Sequence, residues 1–237
     1  MSNKNLIESL HPRPAFVRYI LGYLAMFIVS MLTKTKVRGR KNIPKKGPFI
    51  ITINHFSYVD PVFVIHAIRR PISFLAASDQ KIEWHFLWAP FIYGFIPTNR
   101  KVLAPSTIKH AKRALKEDEI LGVFPEGTST SSQLRRAKNG AAYLSALTES
   151  RMLPIGISGL ENVWGKLFRG TKPKVTIRIG KPFGPFSLPK NRKERENHLK
   201  EIGDEAMCRI AALLPREQHG VFKSNPKIIQ VCNNFDF

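Results

Sequence analysis

Short apolar runs spaced by helical segments restrict this chain more than any other feature. Residues 49–53, 72–77, 120–124 and 153–157 are compact runs rich in β-branched or other apolar residues, and residues 174–179 (KVTIRI) alternate with a period of two. Between and after them, helical spacing or capping residues mark 60 to about 70, 81–92, 106–116, 139–148 and 192–214. A short extended piece covers 95–98, whereas the last eighteen residues give little signal. Strands alternating with helices predict an α/β sheet domain. The 237 residues, 43% of them hydrophobic, suffice for one larger-than-average domain with a short appendage.

Charge adds a second constraint. Against 17 acidic residues stand 38 lysines and arginines, a formal net charge of +21. Such a field favours anionic partners, whether nucleic acid, acidic headgroups or phosphorylated small molecules. Seven basic residues and no acid fall in KTKVRGRKNIPKK, residues 34–46, which reads equally well as a solvated, partly flexible linker. Just before it, YILGYLAMFIVSML (19–32) carries no charge. That stretch is shorter than the ~20 apolar residues of a straightforward membrane span. It also lacks the small-residue cleavage pattern of a signal peptide. Apolar residues go all round this helix and the basic block follows directly. The expectation is a helix lying in, or dipping into, a membrane surface, with a buried core helix as the alternative. The expected division is a membrane-associating helix at 1–35, a main domain at 36–216 and a tail at 217–237. Cys208 and Cys232 lie near no His or acidic cluster with metal-ligand spacing, so neither a disulfide framework nor a metal site is expected.

Three short stretches carry candidate chemistry. In INHFSYVDP, residues 53–61, an apolar run ends at Asn54, His55 follows, and Asp60 precedes a proline. Functional groups of open α/β sheets gather where strands end and loops lead into helices. Five positions apart, His55 and Asp60 share no face of a regular helix, so a turn must fold back to join them. If it does, the carboxylate holds one imidazole nitrogen and leaves the other free to take a proton. A helix cap at Asp60 beside a surface histidine is the plainer alternative. In FPEGTST, residues 124–130, a turn after an apolar strand displays Glu126 beside Gly127, an arrangement an ordinary β-turn also produces. In YGFIPTNR, Arg100 closes an apolar segment, where its guanidinium could grip a phosphate in a two-pronged hydrogen bond or simply be a surface charge.

The order of these pieces resembles the lysophospholipid acyltransferase family, best known from bacterial 1-acyl-glycerol-3-phosphate acyltransferases. NHFSYVD (54–60), GFIPTNR (94–100), FPEGT (124–128) and LPIGISG (153–159) match its ordered motifs, and KNGAAYLS, IRIGKPFG and MCRIAALLP are similar to family segments, so the resemblance covers about residues 38–215. One departure is Ser129, since the glutamate motif usually continues Thr-Arg-Ser. Arg135, Arg136 and Lys138 are the nearest cations that could replace that charge.

The resemblance implies a mixed α/β sheet flanked by helices, as in glycerol-3-phosphate acyltransferases, with an N-terminal membrane-associating helix. It implies acyl transfer from acyl-CoA or acyl carrier protein to the hydroxyl of lysophosphatidic acid, on anionic membrane lipids at the cytoplasmic face. His55 is then the general base, and Asp60 its orienting partner. Arg100 clamps the acceptor phosphate, while Glu126, Gly127 and Thr128 shape the glycerol site. No cofactor or metal is needed, because the acyl thioester is itself a substrate. A backbone amide near the His55 turn could stabilise the oxyanion. Two other readings compete: the same chemistry on another lysophospholipid, a lyso-ornithine lipid or a glycolipid, and a non-catalytic basic protein that binds anionic membrane or nucleic acid. Nucleic acid is not an expected partner, for no nucleic-acid-binding motif is present.

Overall fold

The computed structural model describes residues 12–77, 92–99, 103–127, 129 and 131–232. In chain order the elements are α1 (Ala15–Leu32), β1 (Lys34–Arg38), β2 (Phe49–Ile53), α2 (Asp60–Ile68), β3 (Ile72–Ala77), β4 (Ile96–Thr98), α3 (Pro105–Lys116), β5 (Ile120–Val123), α4 (Gly140–Thr148), β6 (Met152–Ser158), α5 (Val163–Phe168), β7 (Lys174–Ile179), α6 (Arg192–Ala211) and α7 (Pro226–Cys232). The strands form one seven-stranded sheet in the order β1-β7-β6-β2-β5-β3-β4. β2 pairs in parallel with β5 and β6, and β3 in parallel with β5 and β4, whereas β6 and β7 are antiparallel. The expected mixed α/β sheet is therefore the one found. All five parallel strands end at the same edge, so the segments that follow β2, β5, β6, β3 and β4 begin there.

Because β2 is central, every one of its residues is buried, which is why FIITI needs no polar alternation. Phe49, Ile51 and Ile53 face a core built with Phe63, Val64 and Ala67 of α2 and Val29 of α1. Ile50 faces the opposite core, with Ala111 and Leu115 of α3, Ala142 and Leu144 of α4, and Ile202 and Ala206 of α6. Each large side chain so buried contributes about 1.5–3 kcal/mol relative to exposure. A third cluster joins Met207, Cys208 and Ile210 of α6 to Phe222 and to Ile228 of α7.

Several elements depart from the sequence reading. The first part of the basic block is not linker: Lys34–Arg38 pairs in register with Lys174–Arg178 as an edge strand, and only residues 39–48 connect it to β2. Its exposure alternates, with Lys34, Lys36 and Arg38 outside, and outward cations of this kind suit an edge that must not recruit further strands. Asp60 is not the helix cap, because Val59 occupies that position and no side chain caps α2. Nor does Ser106 cap α3, which starts at Pro105. Helices α5 and α7 carry too few residues for a periodic signal. The expected helix at 81–92 lies outside the described residues except for Ile92.

Helix α1 is not a core helix. Only Arg18, Gly22 and Val29 are buried, while Phe16, Ile20, Tyr23, Leu24, Phe27 and Met31 are exposed. Among the described residues it is the one helix long and apolar enough to cross a membrane. Arg18 does not interrupt that apolar surface because its guanidinium turns inward, bonding Ser73 Oγ at 2.9 Å and pairing with Glu119.

Candidate active site

Asn54 ends β2 with its side chain rather than its backbone. Its Nδ2 donates to the carbonyl of Ile157 at 2.9 Å, and its Oδ1 accepts from the Ile157 amide at 2.8 Å. The buried carboxamide thus replaces one rung of the ladder to β6 and releases the main chain at His55.

The 55–60 turn folds back upon Asp60. One oxygen, Oδ2, accepts from His55 Nδ1 at 3.0 Å and from the backbone amides of Phe56 and Ser57, each at 2.9 Å. Since two of these donors are fixed main-chain N–H groups, Oδ2 can only accept. Nδ1 therefore carries a proton, and in the neutral ring this leaves the lone pair on Nε2. Asp60 is 1% exposed. Burial pushes its carboxyl above the ordinary carboxylate value, against the pull of His55 and the Ser57 and Phe56 amides. Among the described residues its other oxygen, Oδ1, has no partner.

An aromatic wall holds the second face of the imidazole. Phe124, the residue after β5, stacks on His55 with centroids 4.1 Å apart and 29° between planes. Behind it, Phe74 of β3 lies 6.1 Å away at 14°. Gly122 makes this possible, because a Cβ there would collide with the Phe74 ring. The ring is thus fixed by a carboxylate at Nδ1 and a packed face, while among the described residues Nε2 makes no hydrogen bond.

Glu126 belongs to the same cluster. Its Oε1 accepts from the His55 amide at 3.1 Å and its Oε2 from the Arg135 amide at 3.0 Å. Both oxygens bind the protein's own backbone, so in this geometry Glu126 ties the His55 turn to the 131–139 loop. Gly127 closes the preceding turn, donating to the Phe124 carbonyl at 3.0 Å with φ 71°, and the Lys138 side chain lies across it. The amides of His55, Phe56 and Ser57 are all committed to carboxylates, so none of them is available to an oxyanion. Nothing in the sequence distinguishes a glutamate that binds backbone from one that binds ligand.

The structure thus brings His55, Asp60, Glu126 and Gly127 together. Arg100 and Thr128 lie outside the described residues, although β4, which precedes Arg100, ends at the same edge. Of the aromatic segment at 84–95 only Ile92 to Phe95 is described, and Phe95 is core. Two of the other histidines, His66 and His219, are buried. Among the described residues no group of His, Cys, Asp and Glu could hold a metal ion.

Burial pushes the Glu126 carboxyl up to about 7, although the His55 and Arg135 amides favour its ionised form. A carboxyl raised on folding stabilises the protein fully below its unfolded value, and that contribution is lost as pH rises through the folded value. Compared with Glu126→Gln, the wild type should lose up to about 3 kcal/mol of stability between pH 4.5 and pH 7 and none beyond. Urea titrations of both proteins at pH 5 and pH 8 check this. A difference that does not change with pH would mean that Glu126 does not titrate there.

Residues 34–158, more than half of the chain, match the family model described as Acyltransferase. The chain belongs to the acyltransferase family. This acyltransferase is 30% identical over 158 residues to the 1-acyl-sn-glycerol-3-phosphate acyltransferase of Bacillus subtilis, covering 65% of this chain and 76% of that one. It is 29% identical to the enzyme of the same name from Borreliella burgdorferi, over 76% and 73% of the two chains. The crystal structure of the 1-acyl-sn-glycerophosphate acyltransferase from Thermotoga maritima shares the fold, with a TM-score of 0.56, 21% identity and coverage of 78% and 76%. The matched segment contains His55, Asp60, Arg100, Glu126 and Ser129.

Proposed function

We infer that this acyltransferase moves a fatty acyl group from an acyl thioester, on coenzyme A or acyl carrier protein, to the free hydroxyl of lysophosphatidic acid. The product is phosphatidic acid, formed in phospholipid synthesis at the cytoplasmic face of a membrane that α1 grips with its apolar surface. The observation that carries this reading is the unencumbered Nε2 of a ring held by Asp60 and Phe124, in a chain whose relatives bear that enzyme's name.

The chemistry needs a base, since an alcohol is a poor nucleophile at neutral pH. His55 Nε2 takes the hydroxyl proton as the alcohol oxygen bonds to the thioester carbonyl carbon. Asp60 stabilises the resulting imidazolium through Nδ1–H. Collapse of the tetrahedral intermediate breaks the carbon–sulfur bond, and the imidazolium returns its proton to the leaving thiolate. An ester and a free thiol result, without an acyl-enzyme and without a cofactor. Arg100 is assigned to the acceptor phosphate.

Ser129, where the family pattern has arginine, favours a second reading in which the acceptor is another lysolipid. Radiolabelled acyl-CoA offered with a panel of lysolipids, with products identified by mass, separates the two. Lysophosphatidic acid should be consumed at least about tenfold faster than lysophosphatidylcholine or a lyso-ornithine lipid. If it is left unacylated while another acceptor is consumed, the acceptor assignment fails.

A further inference from the structure

The edge that holds His55 carries a second apolar surface. β6 ends there at Ser158, and the chain passes through α5 before re-entering the sheet as β7, with Ser158 opposite Thr176. The 159–173 connection therefore projects from the edge that bears the His55 turn. Val163 and Leu167 pack inward, against the core that also includes Val29 and Ala25 of α1. Trp164 and Phe168 remain outside, 51% and 86% exposed. Between 163 and 174 there is no acid, while Lys166, Arg169, Lys172 and Lys174 supply four cations.

The 159–173 connection meets the chain where α1 ends and β1 begins. Lys34, which follows the α1 cap Thr33, donates from its amide to the Pro173 carbonyl at 2.8 Å and is the register partner of Lys174. At that end α1 exposes Phe27, Ile28, Met31 and Leu32. Tyr58, 57% exposed, adds an aromatic ring from the His55 turn itself. Large apolar side chains bordered by lysine and arginine suit the boundary between acyl chains and anionic headgroups, where indole rings also settle.

We propose that Trp164 and Phe168, bordered by Arg169, Lys172 and Lys174, form a second docking element that inserts into an anionic phospholipid bilayer beside α1 and turns the His55 edge toward lipid. This rests on the reading of the site as one that takes a lipid acceptor. An acidic protein surface would suit the cations but not a tryptophan and a phenylalanine standing out on a short helix whose inner face packs in the same core as α1.

The test uses the full chain with vesicles of phosphatidylcholine, with and without phosphatidylglycerol. The double variant Trp164→Ser/Phe168→Ser should partition onto phosphatidylglycerol vesicles at least about tenfold more weakly than wild type. Replacing Arg169, Lys172 and Lys174 by glutamine should reduce the preference for anionic over neutral vesicles at least about fivefold. Brominated lipid gives an independent reading: Trp164→Phe should lose a large part of the tryptophan quenching shown by wild type. Unchanged partition and unchanged quenching overturn the proposal. So does unchanged partition together with a lower sedimentation coefficient, which would assign the patch to a second copy of this chain. Short-chain lysophosphatidic acid below its critical micelle concentration reads the chemistry alone, and there the double variant should keep the wild-type rate while acylating vesicle-held acceptor at least about fivefold more slowly. If wild type acylates neither acceptor, the functional reading fails, while the partition result still decides the membrane contact.

Discussion

Replacing His55 by alanine should reduce kcat for acyl transfer by about 100- to 10,000-fold, the range over which a positioned general base contributes. The fold should survive. The His55 ring is partly exposed, 18% by side chain, and lies outside the two sheet cores. Its backbone amide, the partner of Glu126, is unaffected by the substitution. The variant should therefore melt close to wild type and bind substrates with little change in KM, as expected when a group acting only in the transition state is lost. Steady-state kinetics with a thermal melt on the same sample check both statements. A variant retaining wild-type kcat would remove the base from the scheme.

Asp60 separates positioning from charge. Asp60→Asn keeps an oxygen that can accept from Phe56, Ser57 and His55, and it puts the new NH2 at the Oδ1 position, which has no partner among the described residues. The turn should then stand, while the imidazolium formed during the reaction loses its counter-charge. Loss of kcat of up to about 10,000-fold is expected, by comparison with loss of the orienting carboxylate in a serine-protease triad. Asp60→Ala should also be inactive, for a second reason. It strips three N–H groups of their common acceptor, and a buried unpaired donor costs about 1–3 kcal/mol. A melting temperature clearly below that of Asp60→Asn is the expected signature. If both variants melt together and Asp60→Asn stays active, the carboxylate is not what holds the ring.

Part of this site is legible in one dimension. The run FIITI followed by Asn-His announces a strand ending at a polar residue, and a proline after Asp60 announces a helix start. Spacing could not say that the aspartate turns away from its helix, since a carboxylate at that position can cap forward or reach back with equal ease. The backward choice is made by two amides, of Phe56 and Ser57, whose N–H groups point at it once the turn is closed. Glu126 is a similar case. FPEG predicts a turn, yet the two amides its carboxylate meets come from residues 71 positions upstream and 9 downstream.

The first five residues of the basic block form a strand, not a linker, for a related reason. Its lysines alternate with Thr35 and Val37, and that pattern becomes a strand only because β7 offers an open edge to pair with. Likewise Arg18, just before the uncharged stretch, has its charge taken up in the fold by Glu119, 101 residues later.

Amino-acid order alone determined the elements whose signal is local: buried strands announced by β-branched runs, helices by periodic spacing and proline starts, and an apolar N-terminal helix. Only the tertiary structure decided which strand ends share an edge, which carboxylate oxygen meets which donor, and which residues of α1 and α5 stay uncovered. Periodicity reports how each segment divides its own surface between water and core. Partners brought together by parallel strand pairing lie tens of residues apart, and no local pattern records that distance.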